Sequence, residues 1–456
     1  MNAATKSAPS AVTYTTQPGR AKLHGSLRVP GDKSISHRSI MLGALADGTT
    51  EITGFLQGED SLNTLRCFRA MGVNITEPVD GKVRVDGVGL HGLKAPAHPL
   101  YVGNSGTSMR LMAGILAGQS FDTVLEGDES LSRRPMKRVI DPLTQMGAAI
   151  ESAEGGRSPL TIRGGQRLKA IDYTLPMASA QVKSCVLLAG LYAEGKTCAT
   201  EPAPTRDHTE RMLSGFGYPV TRQAATACLE GGGRLTARQI DVPADISSAA
   251  FFMVAASIAP EADVTLEHVG MNPTRTGVID ILKLMGADIT LHNPREVGGE
   301  PVADVQIRSA KLRGIDIPEA LVPLAIDEFP VLFVAAACAE GRTILTGAEE
   351  LRVKESDRIA VMADGLNKLG IDATATPDGM IIDGQGANAL PFGSAEIWSQ
   401  GDHRIAMSFA VAGLRAAGTI KVHNCEFVET SFPGFADMFR RCGGGLVDQL
   451  ASEELA

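Results

Sequence analysis

The sequence predicts an α/β protein made of two similar domains, and three observations lead there. One unit recurs six times along the chain, one of its two helices is apolar on every side, and the other carries a single apolar face and closes on glycine. Each copy opens on a polar turn and enters an Ala-rich apolar run. A short β-like run, a polar loop and an apolar-periodic stretch follow, and a glycine, most often behind Met or Leu, ends it. The copies begin at Gly31, Gly103, Ala178, near Asp245, at Ile326 and at Asp402. Their period of roughly 70–80 residues is longer than that of ordinary solenoid repeats. A single doubly wound sheet of similar βα units is the plainer alternative; the even spacing and shared ending argue against it.

The first helix of each unit is the buried one. Runs such as "LLAGLYA" (187–193) and "FFMVAASIA" (251–259) are apolar nearly all round, which places them in the middle of a domain. The second helix is amphipathic: Val278, Ile281, Leu282 and Met285 fall at i, i+3, i+4 and i+7, one helical face. Gly286 closes it, as a C-terminal glycine does. Ile289 and Leu291 then alternate as in a half-buried strand. Three buried helices per half, wrapped by sheet and outer helices, give the two domains.

Composition narrows the partners. The 456 residues are 44% apolar and 21% charged, as in a globular protein, and the formal charge of −9 argues against nucleic acid or an anionic membrane as a bulk partner. The seven cysteines (67, 185, 198, 228, 338, 425 and 442) are odd in number and scattered, without a C-x-x-C pair. That predicts reduced thiols in a cytoplasmic protein rather than a disulfide or zinc framework. The nine histidines show no H-x-x-x-H spacing, so no metal is expected. No apolar run reaches the length of a membrane span. The opening "MNAATKSAPSAVTYTTQPGR" reads as a short flexible lead-in without a secretory signal.

In each copy the polar residues stand just before one of the two helices. Helix N-termini carry free N–H groups and about half a positive charge, so they attract anions. Convergence of these ends between the domains would create a cationic cleft despite the negative total. Lys33, Arg38, Arg134, Arg206, Lys354, Arg358 and Arg404 come from five of the six copies. Singly, each reads as a solvated surface charge. Placed together by register, they read as a site for two polyanionic ligands, Arg gripping planar carboxylate and phosphate groups and Lys serving as a point charge. Ser34, Asn104, Thr107, Ser179 and Gln181 supply further donors, and Gly103 and Gly106 allow close backbone approach. "GDKS" lacks the spacing of a nucleotide P-loop, and no dinucleotide fingerprint is present, which points to small phosphorylated metabolites. Two carboxylates stand against this basic background: Asp327 in "LAIDEFPVL" and Glu355 in "LRVKESDR". Alone, either reads as a cap or an ion-pair member. In a cleft for two anions they imply proton transfer.

The strings "PGDKSISHRS", "GNSGTSMR", "RRPMKR", "PMASAQVKS", "PTRDHTE", "NPTRTG", "IDEFP", "LRVKESDR" and "DHRIAMS" resemble those of the 5-enolpyruvylshikimate-3-phosphate synthase family, in family order over nearly the whole chain. The resemblance implies the enolpyruvyl-transferase fold: two inverse α/β domains, each of three βαβαββ-like units around central helices. It places residues 1–22 and 241–456 in one domain and 23–240 in the other. The implied reaction joins shikimate 3-phosphate and phosphoenolpyruvate into an enolpyruvyl ether and releases phosphate, without metal or redox cofactor, in a monomer whose domains close on substrate.

Carried over position by position, Lys33, Ser34 and Arg38 would contact shikimate 3-phosphate, with Lys33 also touching phosphoenolpyruvate. Ser179 and Gln181 resemble further shikimate-phosphate contacts, and Arg206 would reach the phosphate. Arg134, Arg358 and Arg404 resemble the phosphoenolpyruvate clamp, with Gly106 beside it and Lys354 near the shikimate hydroxyls; Asn104 and Thr107 are candidate binding donors. Asp327 would take the proton of the 5-hydroxyl. Glu355, with Lys33 as rival, would protonate the methylene carbon of phosphoenolpyruvate.

Leu111 and "RDHTE" resemble the second class of the family. Its glyphosate-insensitive members carry Ala where this chain has Gly106, which leaves room for that inhibitor's phosphonate. Thr430 stands where the common form has Lys, so that contact does not transfer. Two rivals share the cleft: the enolpyruvyl transferase acting on UDP-N-acetylglucosamine, whose mobile loop carries a Cys that "EGDESLSRRPMKR" lacks, and a non-catalytic anion binder, for which buried acids bring no gain.

Overall fold

The computed structural model describes residues 11–18 and 22–450. The chain separates into two compact units, one running up to Val29 with Ala244–Pro294 and everything from Ala303 on, the other comprising Pro30–Pro243 and Arg295–Val302. Six core helices follow the six repeats: α1 (Lys33–Leu45), α2 (Gly106–Ala117), α3 (Ala180–Gly190), α4 (Ile246–Ile258), α5 (Phe329–Cys338) and α6 (His403–Ala412). The first three belong to the Pro30–Pro243 unit and the last three to the other.

The polar turn that opens a repeat is a helix cap. Asp32 accepts from Ile35 N at 2.9 Å, Ser105 from Ser108 N at 3.0 Å and Ser179 from Val182 N at 3.3 Å. Asp245 accepts from Ser247 N at 2.8 Å and Asp402 from Arg404 N at 3.0 Å. Each cap satisfies an N–H that the first turn leaves unpaired. Helix α5 has no side-chain cap and carries Pro330, which has no N–H to satisfy, in its first turn. Every residue of α4 and α5 is buried, as their all-round apolarity requires.

Three four-stranded sheets surround α1–α3, and sheets of four, four and three strands surround α4–α6. In the second and third repeats a strand, a core helix and a parallel strand follow one another: Leu100–Tyr101 pairs with Thr123–Glu126 across α2, and Asp172–Thr174 with Lys196–Thr200 across α3. Parallel partners need such a crossover. The first repeat takes its parallel partner, Gln239–Asp241, from the far end of the unit, so the three repeats close into a ring. In the other unit His24–Leu27 pairs in parallel with Asp263–Gly270, and Ala395–Trp398 with Ile420–His423 across α6. His24–Leu27, assigned to the opposite domain on sequence grounds, thus belongs with α4–α6.

Three expectations need correction. Within the supposed lead-in, Val12–Thr16 is a strand between Ile420–His423 and Leu446–Leu450, with Tyr14 and Thr16 turned inward and buried; residues 1–10 and 19–20 lie outside the described residues. Leu291 is 40% exposed although Ile289 is buried, because Asp288–Val297 is an edge strand that covers the core only at its start. Cys198 and Cys228 form a disulfide, since strands Lys196–Thr200 and Thr226–Glu230 set them directly opposite each other with Cα atoms 4.1 Å apart. The other five cysteines are free and buried.

Candidate active site

In the unit of α1–α3, the first turns of the core helices carry the predicted donors. Lys33 opens α1 and ion-pairs with Asp60 at 2.9 Å. Arg38, one turn further, is buried and donates from Nε to Thr209 Oγ1 at 2.8 Å, from Nη1 to the Ser34 carbonyl at 2.9 Å and from Nη2 to Ser184 Oγ at 3.1 Å. Burial, joined by the charge of Arg206 and opposed by Glu210 and Asp32, lowers the Arg38 guanidinium to about 10. It remains charged at neutral pH. Arg206 precedes the outer helix His208–Gly215, within electrostatic reach of Arg38.

A second cluster forms around α2. Arg134 donates to Asn104 Oδ1 at 2.7 Å, and Asn104 donates to Asp128 Oδ2 at 2.8 Å. Gln181, at the start of α3, accepts from Arg110 and donates to Thr107 Oγ1 at 3.0 Å. Gly106 is the first residue of α2, and a Cβ there would stand 2.8 Å from Arg110 Nη1 and 3.6 Å from Arg134 Nη1. Its missing side chain is what lets two guanidinium groups approach the helix end. Gly103 is required by the chain itself: its φ of +61° is one that L side chains rarely adopt, and a Cβ there would meet Asn63. Ser179 Oγ accepts the α3 cap bond, which leaves its O–H able to donate.

In the unit of α4–α6, four predicted residues gather around a fifth, the cation Arg358. Arg358, 1% exposed, donates to Asp402 Oδ2 at 2.8 Å, to Glu355 Oε2 at 2.8 Å and to Asp327 Oδ1 at 3.3 Å. Lys354 Nζ lies 3.5 Å from Asp327 Oδ1, and Arg404 Nη1 donates to the Asp327 carbonyl at 3.2 Å. Expected in the phosphoenolpyruvate clamp, Arg358 is the hub that gathers three carboxylates. Lys354 and Arg404 are its more accessible neighbours. Crowding by protein raises the Glu355 carboxyl, but Arg358, with His403 and Arg404, outweighs that against the push of Asp327 and holds it well below the usual carboxylate range. With 36% of the Glu355 side chain exposed, solvent screens part of this field. The acid therefore stands ionised.

Several partners escaped the sequence reading. Asp60, Ser184 and Thr209 lie 27, 146 and 171 positions from the cations they hold. Arg110 sits one helical turn after Gly106, a spacing that would have flagged it. Asp402 stands inside "DHRIAMS" just before a core helix, a local signal that could have found it as a cap.

The family model described as EPSP synthase (3-phosphoshikimate 1-carboxyvinyltransferase) matches residues 18–439. A 3-phosphoshikimate 1-carboxyvinyltransferase of Alkalilimnicola ehrlichii is 69% identical over 95% of this chain and 96% of its own. The chain belongs to the EPSP synthase family. A relative of the same name in Methylococcus capsulatus is 66% identical over 95% of this chain and 98% of its own. A solved EPSP synthase from Acinetobacter baumannii superposes with a TM-score of 0.90 at 59% identity, covering 96% of this chain and all of that one. The family match runs through all three clusters, from Lys33 to Arg404.

Proposed function

We infer that this chain transfers the enolpyruvyl group of phosphoenolpyruvate to the 5-hydroxyl of shikimate 3-phosphate and releases phosphate. The observation that carries the residue assignments is the hub at Arg358, where two carboxylates of different neighbourhood, Asp327 and Glu355, stand among three cations. Asp327 takes the proton of the 5-hydroxyl, and the oxygen attacks C2 while C3 gains a proton. The tetrahedral adduct then loses a C3 proton and phosphate, which restores the double bond. Arg38, Arg206, Lys33, Ser34, Ser179 and Gln181 hold shikimate 3-phosphate; Arg134, Arg358, Arg404 and Lys33 hold phosphoenolpyruvate, with Asn104 and Thr107 as supporting donors and Lys354 at the shikimate hydroxyls. Fixed cations offset the charge of both substrates without reorganising.

The ionised state of Glu355 constrains its part. A phosphate or carboxylate drawn towards Arg358 and Arg404 shares their field, raises the Glu355 carboxyl, and lets it carry the proton for C3. Lys33, which reaches phosphoenolpyruvate in this reading, is the competing donor. A cytoplasmic monomer is the form proposed; among the described residues no helix is long and apolar enough to cross a membrane.

Mixing the protein with both substrates and following phosphate release tests the reaction, and absence of turnover would refute it. Deuterium uptake at C3 in D2O separates the two acids: Glu355→Gln abolishes uptake if Glu355 is the donor and leaves it intact if Lys33 is. Light scattering after size exclusion tests the monomer.

A further inference from the structure

The string "NPTRTG" (272–277) has no part in the site assembled so far, yet the structure buries its arginine in a charge network beside Asp327. Arg275, 4% exposed, donates from Nη2 to Asp245 Oδ1 at 3.0 Å and to Ser247 Oγ at 2.8 Å. The Ser247 hydroxyl passes its own proton on, donating to Glu328 Oε1. Asp245 and Ser247 are the cap and second residue of α4, and Glu328 follows Asp327 in the chain and is buried. Asn272 Oδ1 accepts from Thr274 N at 2.9 Å and from Thr274 Oγ1 at 2.7 Å, which shapes the turn that delivers Arg275.

Asp327 sits in the single 3-10 turn Ile326–Glu328, which has no side-chain cap of its own. Its ion pairs, 3.3 Å to Arg358 and 3.5 Å to Lys354, are longer than the 2.8 Å bonds that Arg358 makes to Glu355 and Asp402. Its aim depends on those cations and on how the turn that carries it is held. Among the contacts that hold the turn are Arg404 on the Asp327 carbonyl and Ser247, oriented by Arg275, on the Glu328 carboxylate.

We propose that Ser247 and Arg275, acting through Glu328, are positioning residues that aim Asp327 at the hydroxyl it deprotonates. This rests on the reaction inferred above. A general base must stay within hydrogen-bond reach of its proton, so loss of one anchor is felt in the chemical step rather than in substrate capture.

Steady-state kinetics of the full-length protein with both substrates, over a pH range, tests this. Ser247→Ala is expected to lower kcat about 10- to 100-fold while both KM values stay within about threefold, and to shift the acidic limb of the kcat profile. Ser247→Thr, which keeps the hydroxyl, is expected to restore kcat to within about threefold of wild type and to return the limb. Glu328→Gln, which retains shape but loses charge, gives a second route should the alanine variant fold poorly, with a kcat loss of about three- to tenfold. An unchanged kcat in both Ser247→Ala and Glu328→Gln, or a loss that vanishes once rates are normalised to folded protein, overturns the proposal. Wild-type protein that releases no phosphate overturns the reaction itself, a distinct result.

Discussion

His37 should make the protein acid-sensitive in a way that one substitution removes. The imidazole is fully buried, its Nδ1 2.8 Å from Thr64 Oγ1, which in turn lies 2.7 Å from Ser108 Oγ. Burial, reinforced by Lys33 and Arg38 and opposed by Asp60 and Asp32, pushes it from 6.5 down to about 3. The folded protein therefore keeps His37 neutral where the unfolded chain protonates it. Because the unfolded state binds the extra proton, stability is lost as pH falls below about 6.5 and the loss continues until the folded histidine itself titrates. One proton amounts to about 1.4 kcal/mol per pH unit once the unfolded histidine is protonated, or about 2.7 kcal/mol between pH 7.5 and 4.5. Urea unfolding of wild type and His37→Gln between pH 7.5 and 4.5 isolates the effect, since other groups cancel in the difference. The wild-type advantage is expected to shrink by about 2.7 kcal/mol over that range. A difference that stays flat with pH would refute the reasoning.

Further outcomes follow from the same geometry. Asp327→Asn should lower kcat by about 10²–10⁴ while shikimate 3-phosphate binding, followed by calorimetry, is retained. Gly106→Ala puts a methyl 2.8 Å from Arg110 Nη1, so the Arg110 and Arg134 guanidinium groups must shift, and the KM for phosphoenolpyruvate should rise about tenfold or more in initial-rate assays. Arg358→Lys leaves the fully buried Asp402 with fewer donors and should cost about 3–5 kcal/mol in a denaturant titration, a partner-loss effect. Reducing the Cys198–Cys228 bond opens a loop spanning 30 positions, and by chain entropy should lower stability by about 3–4 kcal/mol when urea curves with and without reductant are compared.

Much of the site was legible because its cations are tied to local signals. Lys33, Arg404 and Arg358 each stand one or two positions after an aspartate cap, and caps are set by neighbours in sequence. Core helices such as α4 were legible for a similar reason, since apolarity on every side has only one stable environment. Arg358 shows the limit. Its charge and its proximity to Glu355 could be read from "KESDR", but its role as a hub depends on Asp402, 44 positions away, and on Asp327, 31 positions away. The network of Arg275 is of the same kind, joining residues 28 and 30 positions apart. The disulfide depended on the register of two strands, which no cysteine spacing encodes.

By itself, then, the amino-acid order determined the six-fold recurrence, the buried and amphipathic helices, and which polar residues sit at helix starts, because each depends on chemistry within a few residues of the chain. Tertiary structure alone decided which carboxylate meets which cation, that Glu355 stands ionised, that Val12–Thr16 completes a sheet, and that Cys198 meets Cys228. Those outcomes depend on distances between segments far apart in sequence, and charge coupling and desolvation change steeply over a few ångströms.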